Sequence, residues 1–392
     1  LLFQIEEFHK ALRTQYDSEF KVIDCITEKM VHYAEQADIE GDIPDGLLNS
    51  EETLFINRLI IPAEYGGSSL VNSATRRLSV FEKVGAANPG LALALPGPGI
   101  SLPPVAYLGT EKQKKEFFEL FLNPTRAVWG AFAVSEPKVG SDATAVQTTA
   151  IRKGDNYILN GTKCFITNGS RADRVIVFAN VNPKNGRFGV RAFAVPKGTP
   201  GFDVQGKADM MGMRASQMST LTFSNCELPV EFMLGHNGKR GPLVDAITAA
   251  QHAWDYMRPV LSAIMYGSTK QSLARFSKFI EEDRFTISRK KKNLLEEKIK
   301  ELSCKLEATR LLAYRAAWLF DKGENCTVEA AMIKAKIANV AMEVGVEINA
   351  ALSLTDTEVT SEFDRFYRDA KAYDIMEGTG DMQRKVIGEL SR

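Results

Sequence analysis

Val175-Ile176-Val177-Phe178-Ala179, the turn pair Asn185-Gly186, and Ala192-Phe193-Ala194-Val195 form the stretch on which the fold turns. Two short runs rich in β-branched and aromatic residues, separated by a glycine turn, predict neighbouring strands. Ser219-Thr220-Leu221-Thr222-Phe223 repeats the texture downstream, and Asn160-Gly161 and Asn168-Gly169 add further turn signals upstream. An antiparallel sheet or barrel domain over residues 126–236 follows. On either side the period changes to that of helices. Ile5, Phe8, Leu12 and Tyr16, then Phe20, Ile23, Ile26, Met30 and Tyr33, are spaced for one helical face. Breaks fall at Glu64-Tyr65-Gly66-Gly67 and Leu95-Pro96-Gly97-Pro98-Gly99, and Thr110 is placed to cap a further helix. Beyond the sheet, Leu295, Ile299, Leu302 and Leu306 mark a long amphipathic helix. The expected class is α+β in three parts: an all-α domain (1–125), the β domain (126–236) and a four-helix-bundle-like domain (237–392). Helix–sheet–helix order without βαβ alternation excludes a doubly wound fold.

Composition narrows the function. With 392 residues, 44% hydrophobic and 25% charged, there is apolar material for large cores. The 49 basic and 49 acidic residues cancel, which argues against an electrostatic nucleic-acid binder. Five scattered cysteines and four scattered histidines, with no CxxC pair, fit free thiols and offer no metal-ligand spacing. No long uncharged apolar window predicts a membrane span, so a cytoplasmic protein is expected. The dinucleotide, P-loop, nucleophile-elbow and zinc-protease motifs are absent. The basic run Arg289-Lys290-Lys291-Lys292 reads as a solvated helix start.

Longer motifs remain. They are Ala133-Val134-Ser135-Glu136-Pro137-Lys138-Val139-Gly140-Ser141-Asp142 and Asn160-Gly161-Thr162-Lys163-Cys164-Phe165-Ile166-Thr167-Asn168-Gly169, followed by Met213-Arg214-Ala215-Ser216 and Leu228-Pro229-Val230. Near the C-terminal end stand Arg368-Asp369-Ala370-Lys371, Ile375-Met376-Glu377-Gly378-Thr379 and Gln383-Arg384. In this order and spacing they resemble the acyl-CoA dehydrogenase flavoprotein family over nearly the whole chain. The resemblance implies FAD-dependent desaturation of an acyl thioester, with an electron-transferring flavoprotein as acceptor and a homodimer or homotetramer as the assembly.

Such a reaction needs a base for the Cα proton and a flavin for the Cβ hydride. Glu377 matches the family's usual base, and its apolar neighbours Ile375 and Met376 are expected to dehydrate it. Read from residues alone, it is equally a carboxylate stabilised by the helix that starts near Asp381. Some relatives carry the base immediately before an arginine on an earlier helix. Here Met257 precedes Arg258, which favours Glu377. By the same resemblance, Phe132, Val134, Ser135, Ser141, Phe165, Ile166 and Thr167 hold the flavin from the sheet side, with Thr379 and Asp381 just past the base. Asp255, Arg258, Ser141 and Gly378 match positions facing the thioester.

Two segments depart from the family pattern. Arg284-Phe285-Thr286-Ile287-Ser288 keeps only the arginine of a cofactor-gripping motif, and Glu347-Ile348-Asn349-Ala350-Ala351 replaces a neutral amide and two glycines. A carboxylate repels pyrophosphate, so the expectation is an FAD held weakly, in a shifted pose, or in a rebuilt groove between subunits. Three alternatives accompany the acyl-CoA reading: the same reaction on an acyl or aminoacyl carrier protein, a flavin oxidase or monooxygenase, and a flavin-less interaction protein.

Overall fold

The computed structural model describes residues 4–236, 246–281, 287–353 and 361–391. The first part is helical: α1 (Ile5–Gln15), α2 (Asp17–Glu40), α3 (Asp45–Leu48), α4 (Glu51–Leu59), α5 (Ala74–Ala87), α6 (Pro89–Ala94), α7 (Leu102–Leu108) and α8 (Glu111–Glu119). The predicted faces are the buried ones, since Ile5, Leu12, Phe20, Ile23, Ile26 and Met30 all lie in the core. Thr110 caps α8 in a reciprocal box: its hydroxyl accepts from Gln113 N–H, and the Gln113 side chain accepts from Thr110 N–H.

Seven strands follow: β1 (Gly130–Ala133), β2 (Thr149–Lys153), β3 (Asn156–Ile166), β4 (Arg174–Asn180), β5 (Val190–Pro196), β6 (Phe202–Lys207) and β7 (Ser219–Pro229). They form one sheet in the order β1-β4-β2-β3-β7-β6, with β5 along the other edge of β4. Pairing is antiparallel except where β1 and β2 meet β4. The apolar run 175–179 is buried on both faces, as its unbroken hydrophobicity implies. Asn160-Gly161, expected as a turn, lies inside β3 instead. The β2–β3 hairpin closes at Gly154-Asp155, so Gly161 forms a bulge where the register against β7 shifts. At φ +151° its backbone passes so close to Thr148 that a side chain would collide.

The last part comprises α9 (Ala246–Glu281), α10 (Arg289–Asp321), α11 (Thr327–Leu352), α12 (Ser361–Ile375) and α13 (Gly380–Leu390). Helix α9 is the axis of the molecule, packing on α5, α10, α11 and α12. Its crossing with α5 is backbone to backbone. A Cβ at Gly85 would strike the Ile264 carbonyl, and one at Gly267 would strike that of Glu82. Pro259 sits inside α9, removing the amide that would bond the Asp255 carbonyl. Helix α10 starts with Ser288 as N-cap, and its first residues, Arg289 and Lys290, are solvated as expected.

Candidate active site

Glu377 lies between the end of α12 and Thr379, the N-cap of α13. Its backbone is left-handed at φ +53°, an uncommon state for a residue with a side chain. Two side chains secure the turn through three hydrogen bonds. Arg258 Nη2 on α9 donates to the Glu377 carbonyl at 3.3 Å, and Gln383 Nε2 on α13 donates to the carbonyls of Glu377 and Gly378 at 3.1 Å each. Carboxylate oxygen Oε2 is sealed from solvent and has no hydrogen-bond partner among the described residues. Burial raises the Glu377 carboxyl to about 7, while Arg258 and Lys334 pull the other way. The dehydration does not come from Ile375, which is 56% exposed. Met376, the other expected neighbour, packs on the core, while Arg258 of α9 and Lys334 of α11 bond the backbone of the turn and of Asp374 before it.

Arg258 is buried, and its Nε and Nη1 atoms lack partners. Its guanidinium stands 5.6 Å from the Trp254 ring centre, and Trp254 meets Phe132 edge-on at 6.4 Å. This line of contacts joins the base to the sheet. Asp255 accepts from Gln251 at 2.8 Å and from the Thr327 hydroxyl at 2.7 Å, with Arg258 at 4.0 Å; burial raises its carboxyl above the ordinary range.

At the sheet ends, Lys163 is fully buried on β3. Its ammonium donates to Glu136 at 2.7 Å and to the Val134 carbonyl at 3.0 Å. Burial pulls Lys163 down to about 8. Burial also pushes Glu136 upward, but Lys163 and the amides of Gln147 and Thr148 outweigh that and hold it ionised. The pair fixes the segment from which Ser135 emerges, and the Ser135 carbonyl accepts from Cys164 N–H at 3.0 Å. Phe165 then turns outward at φ +56° with its ring 64% exposed, between buried Cys164 and Ile166. Nearby, Asn168 N–H donates to the Ser216 carbonyl at 2.8 Å, while Asn168 Oδ1 and Ser216 Oγ are buried without partners. Met213 N–H donates to Asp369 of α12 at 2.5 Å, tying this loop to the helix that leads into Glu377.

Phe132, Val134, Ser135, Phe165, Ile166 and Thr167 thus lie at the ends of β1 and β3, while Arg258, Glu377 and Gly378 meet at the turn before α13. Val134 and Ile166 point their side chains into the core and offer only backbone. Ser141 lies on an exposed loop. Asp381 faces outward and pairs with Arg384 at 2.7 Å, and the Thr379 hydroxyl accepts from Met382 N–H. Arg284 falls outside the described residues. Glu347 lies on α11, 3.8 Å from Lys298, within an ionic cluster that includes Glu301, Lys305 and Glu343. Lys334 and Trp254 carried no role in the sequence reading. A lysine on the otherwise apolar face of α11 was the available signal.

A helix–sheet–helix chain with a dehydrated carboxylate at a left-handed turn and an outward aromatic at a strand end fits one class, the flavin-dependent oxidoreductases. The comparisons specify the family. Residues 18–123, 131–226 and 247–391 match the N-terminal, middle and C-terminal domains of acyl-CoA dehydrogenase. The mitochondrial short-chain specific acyl-CoA dehydrogenase of Rattus norvegicus is 32% identical over 94% of this chain and 88% of its own. Butyryl-CoA dehydrogenase from Megasphaera elsdenii superposes with a TM-score of 0.84 at 31% identity, covering 96% of this chain and 98% of the other. The prolyl acyl carrier protein oxidase AnaB superposes at 0.81 with 25% identity, covering 94% and 98%.

The chain belongs to the acyl-CoA dehydrogenase family, and with it to the oxidoreductases acting on CH–CH bonds with FAD as cofactor. The residues present fit a flavin. An aromatic face stands out of the sheet at Phe165, and three residues on, where Asn168 N–H meets the Ser216 carbonyl, Asn168 Oδ1 and Ser216 Oγ have no hydrogen-bond partner among the described residues, which suits a ring with a polar edge. Among the described residues no helix is long and apolar enough to cross a membrane.

Proposed function

We propose that this protein desaturates an acyl-CoA between Cα and Cβ, with Glu377 removing the Cα proton. The observation that carries the reading is the Glu377 carboxylate itself: dehydrated, partnerless at Oε2, and held in a left-handed turn by Arg258 and Gln383. With its carboxyl raised to about 7 by burial, Glu377 is a stronger base than an ordinary carboxylate and suited to accept a carbon-bound proton once the thioester acidifies it. The cations of Arg258 and Lys334 favour the ionised carboxylate before the transfer. Bound FAD supplies the acceptor for the Cβ hydride, chemistry that no side chain provides. Phe165 would pack the ring face, while Ser135, Thr167 and the backbone at Val134 and Ile166 would meet its polar edge. Phe132, Thr379 and Asp381 complete the cofactor side, and Ser141, Asp255, Arg258 and Gly378 the thioester side. We place the domain limits at 1–125, 126–236 and 237–392, the assembly as a homodimer or homotetramer, and the acceptor as an electron-transferring flavoprotein.

Adding butyryl-CoA to the purified flavoprotein should bleach its visible band. Glu377→Gln should keep the band but bleach on the order of 100- to 10,000-fold more slowly, the usual worth of a positioned base. Near wild-type bleaching by that variant removes Glu377 from the role. The similarity to AnaB supports a second reading, the same oxidation on a carrier-protein thioester. Flavin that ignores CoA esters but bleaches with a carrier-bound acyl group selects it.

A further inference from the structure

Lys334 occupies a place where an apolar residue would be expected. It lies on the packed face of α11 among Ala330, Ala331, Ile337 and Ala338, and is 1% exposed. A buried ammonium is unfavourable unless it is well bonded. Its Nζ donates to the Asp374 carbonyl at 2.6 Å and stands 5.5 Å from the Tyr373 ring centre. That carbonyl belongs to the last turn of α12, where carbonyls lack partners within the helix and a cation faces the negative end of its dipole. Glu377 follows three residues later.

Gln383 is placed as unusually. It is 1% exposed on an otherwise amphipathic α13, and its amide donates to two successive carbonyls of the base turn. It fills the space beside Gly378 so closely that a Cβ there would stand 2.5 Å from Nε2. Its own Oε1 is buried and unpartnered. A side chain present only to fill space would not need that orphaned oxygen.

We propose that Lys334 and Gln383 are positioning residues for the base: by holding the backbone carbonyls of Asp374, Glu377 and Gly378 they fix the left-handed turn that aims the Glu377 carboxylate. The inference rests on the reading of Glu377 as the base. Without these donors the turn relaxes toward ordinary backbone angles, and the carboxylate moves off the Cα proton. Lys334 adds a charge effect that Gln383 does not. The charged and titratable groups around this turn are Asp255 and Arg258 on α9, Lys334 on α11, Tyr373 and Asp374 on α12, and Asp381 and Arg384 on α13. Of these, Arg258 and Lys334 act most strongly on Glu377.

The test compares Lys334→Met and Gln383→Met as FAD-loaded proteins. Flavin content, melting temperature, kcat and KM for butyryl-CoA are measured. The Glu377 titration midpoint is read separately, from the infrared carboxyl band, with Glu377→Gln added to each background as the blank. Both variants should keep their flavin and a KM within about threefold while kcat falls roughly 10- to 100-fold, the effect of small misplacement. In Lys334→Met the midpoint should also rise by about one pH unit, because a cation favouring the ionised form is gone. Gln383→Met should leave it nearly unmoved. Unchanged kcat and midpoint with only a lower melting temperature would reduce both residues to structural caps and overturn the proposal. Should Lys334→Met fail to fold, the kcat-against-KM split of Gln383→Met decides. If the wild type bleaches with no thioester, the base reading fails; the infrared midpoint then still tests whether Lys334 acts on Glu377.

Discussion

Replacing Glu377 by glutamine removes a carboxylate from a place water scarcely reaches, so its effect on stability must grow with pH. In the unfolded chain this carboxyl titrates near its ordinary 4.5; in the folded protein burial raises it to about 7. Between those values the unfolded state releases its proton while the folded state keeps it. Stability contributed by the protonated form is therefore present below about 4.5 and is lost as pH rises through 7. Each tenfold change in acidity corresponds to about 1.4 kcal/mol. Because Glu377 as a whole is only half-buried although its carboxylate is enclosed, the wild type loses about 2–3 kcal/mol by pH 8. Glutamine has no such loss. For a chain of this length one kcal/mol moves the melting temperature by roughly 1–2 °C. The variant's advantage in melting temperature should thus be about 2–6 °C larger at pH 8 than at pH 5. Scanning calorimetry of the paired FAD-loaded proteins at four pH values reads this directly. A difference that stays flat with pH, or shrinks, would show that Glu377 is well solvated and would refute the argument from burial.

Three further outcomes are expected. Lys163→Met strands the buried Glu136 carboxylate and should destabilise the protein by about 3–5 kcal/mol, read from the shift of the urea midpoint. Phe165→Ala removes a ring that is mostly outside the core, so the melting temperature of the apoprotein should move by no more than about 1 °C, whereas flavin should be lost on gel filtration; full flavin retention would count against the aromatic-face role. Gly267→Ala forces a methyl into the Glu82 carbonyl and should destabilise by at least about 1–3 kcal/mol, while Gly388→Ala on α13, with open space around it, should stabilise by about 0.5–1 kcal/mol. Equal thermal shifts for the two glycines would show that the α5–α9 crossing can yield.

Much of this organisation is legible in the sequence because it is carried by local signals. The run 175–179 reads as a strand from its β-branched and aromatic residues and flanking turns, and Thr110 with Gln113 writes its helix start in two residues. Glu377 is found through its motif. What the chain does not announce is where its surroundings come from. Ile375 looks like a dehydrating neighbour, yet a C-terminal helical position turns it to solvent, and the side chains that hold the turn, Arg258 and Lys334, come from α9 and α11, about 120 and 40 residues earlier along the chain. Asn160-Gly161 has the chemistry of a hairpin turn, but the pairing of β3 with β7 overrides it and makes it a bulge. Gly85 and Gly267 carry no motif at all; their meaning exists only at the crossing.

Helix α9 is divided by Pro259 into two stretches with different freedoms. Beyond the proline, Gly267 and Ile264 are pressed onto α5 with no side chain between, so that stretch cannot rotate or slide. Before it, the missing hydrogen bond at the Asp255 carbonyl leaves the turn bearing Trp254 and Asp255 less firmly tied to the rest of the rod. Pocket shape and fold stability are therefore separable along a single helix. If Asp255 and Arg258 stand at the thioester as proposed, substitutions upstream of Pro259 offer a lineage or an engineer a route to change the accepted chain while the α5–α9 crossing downstream stays as it is.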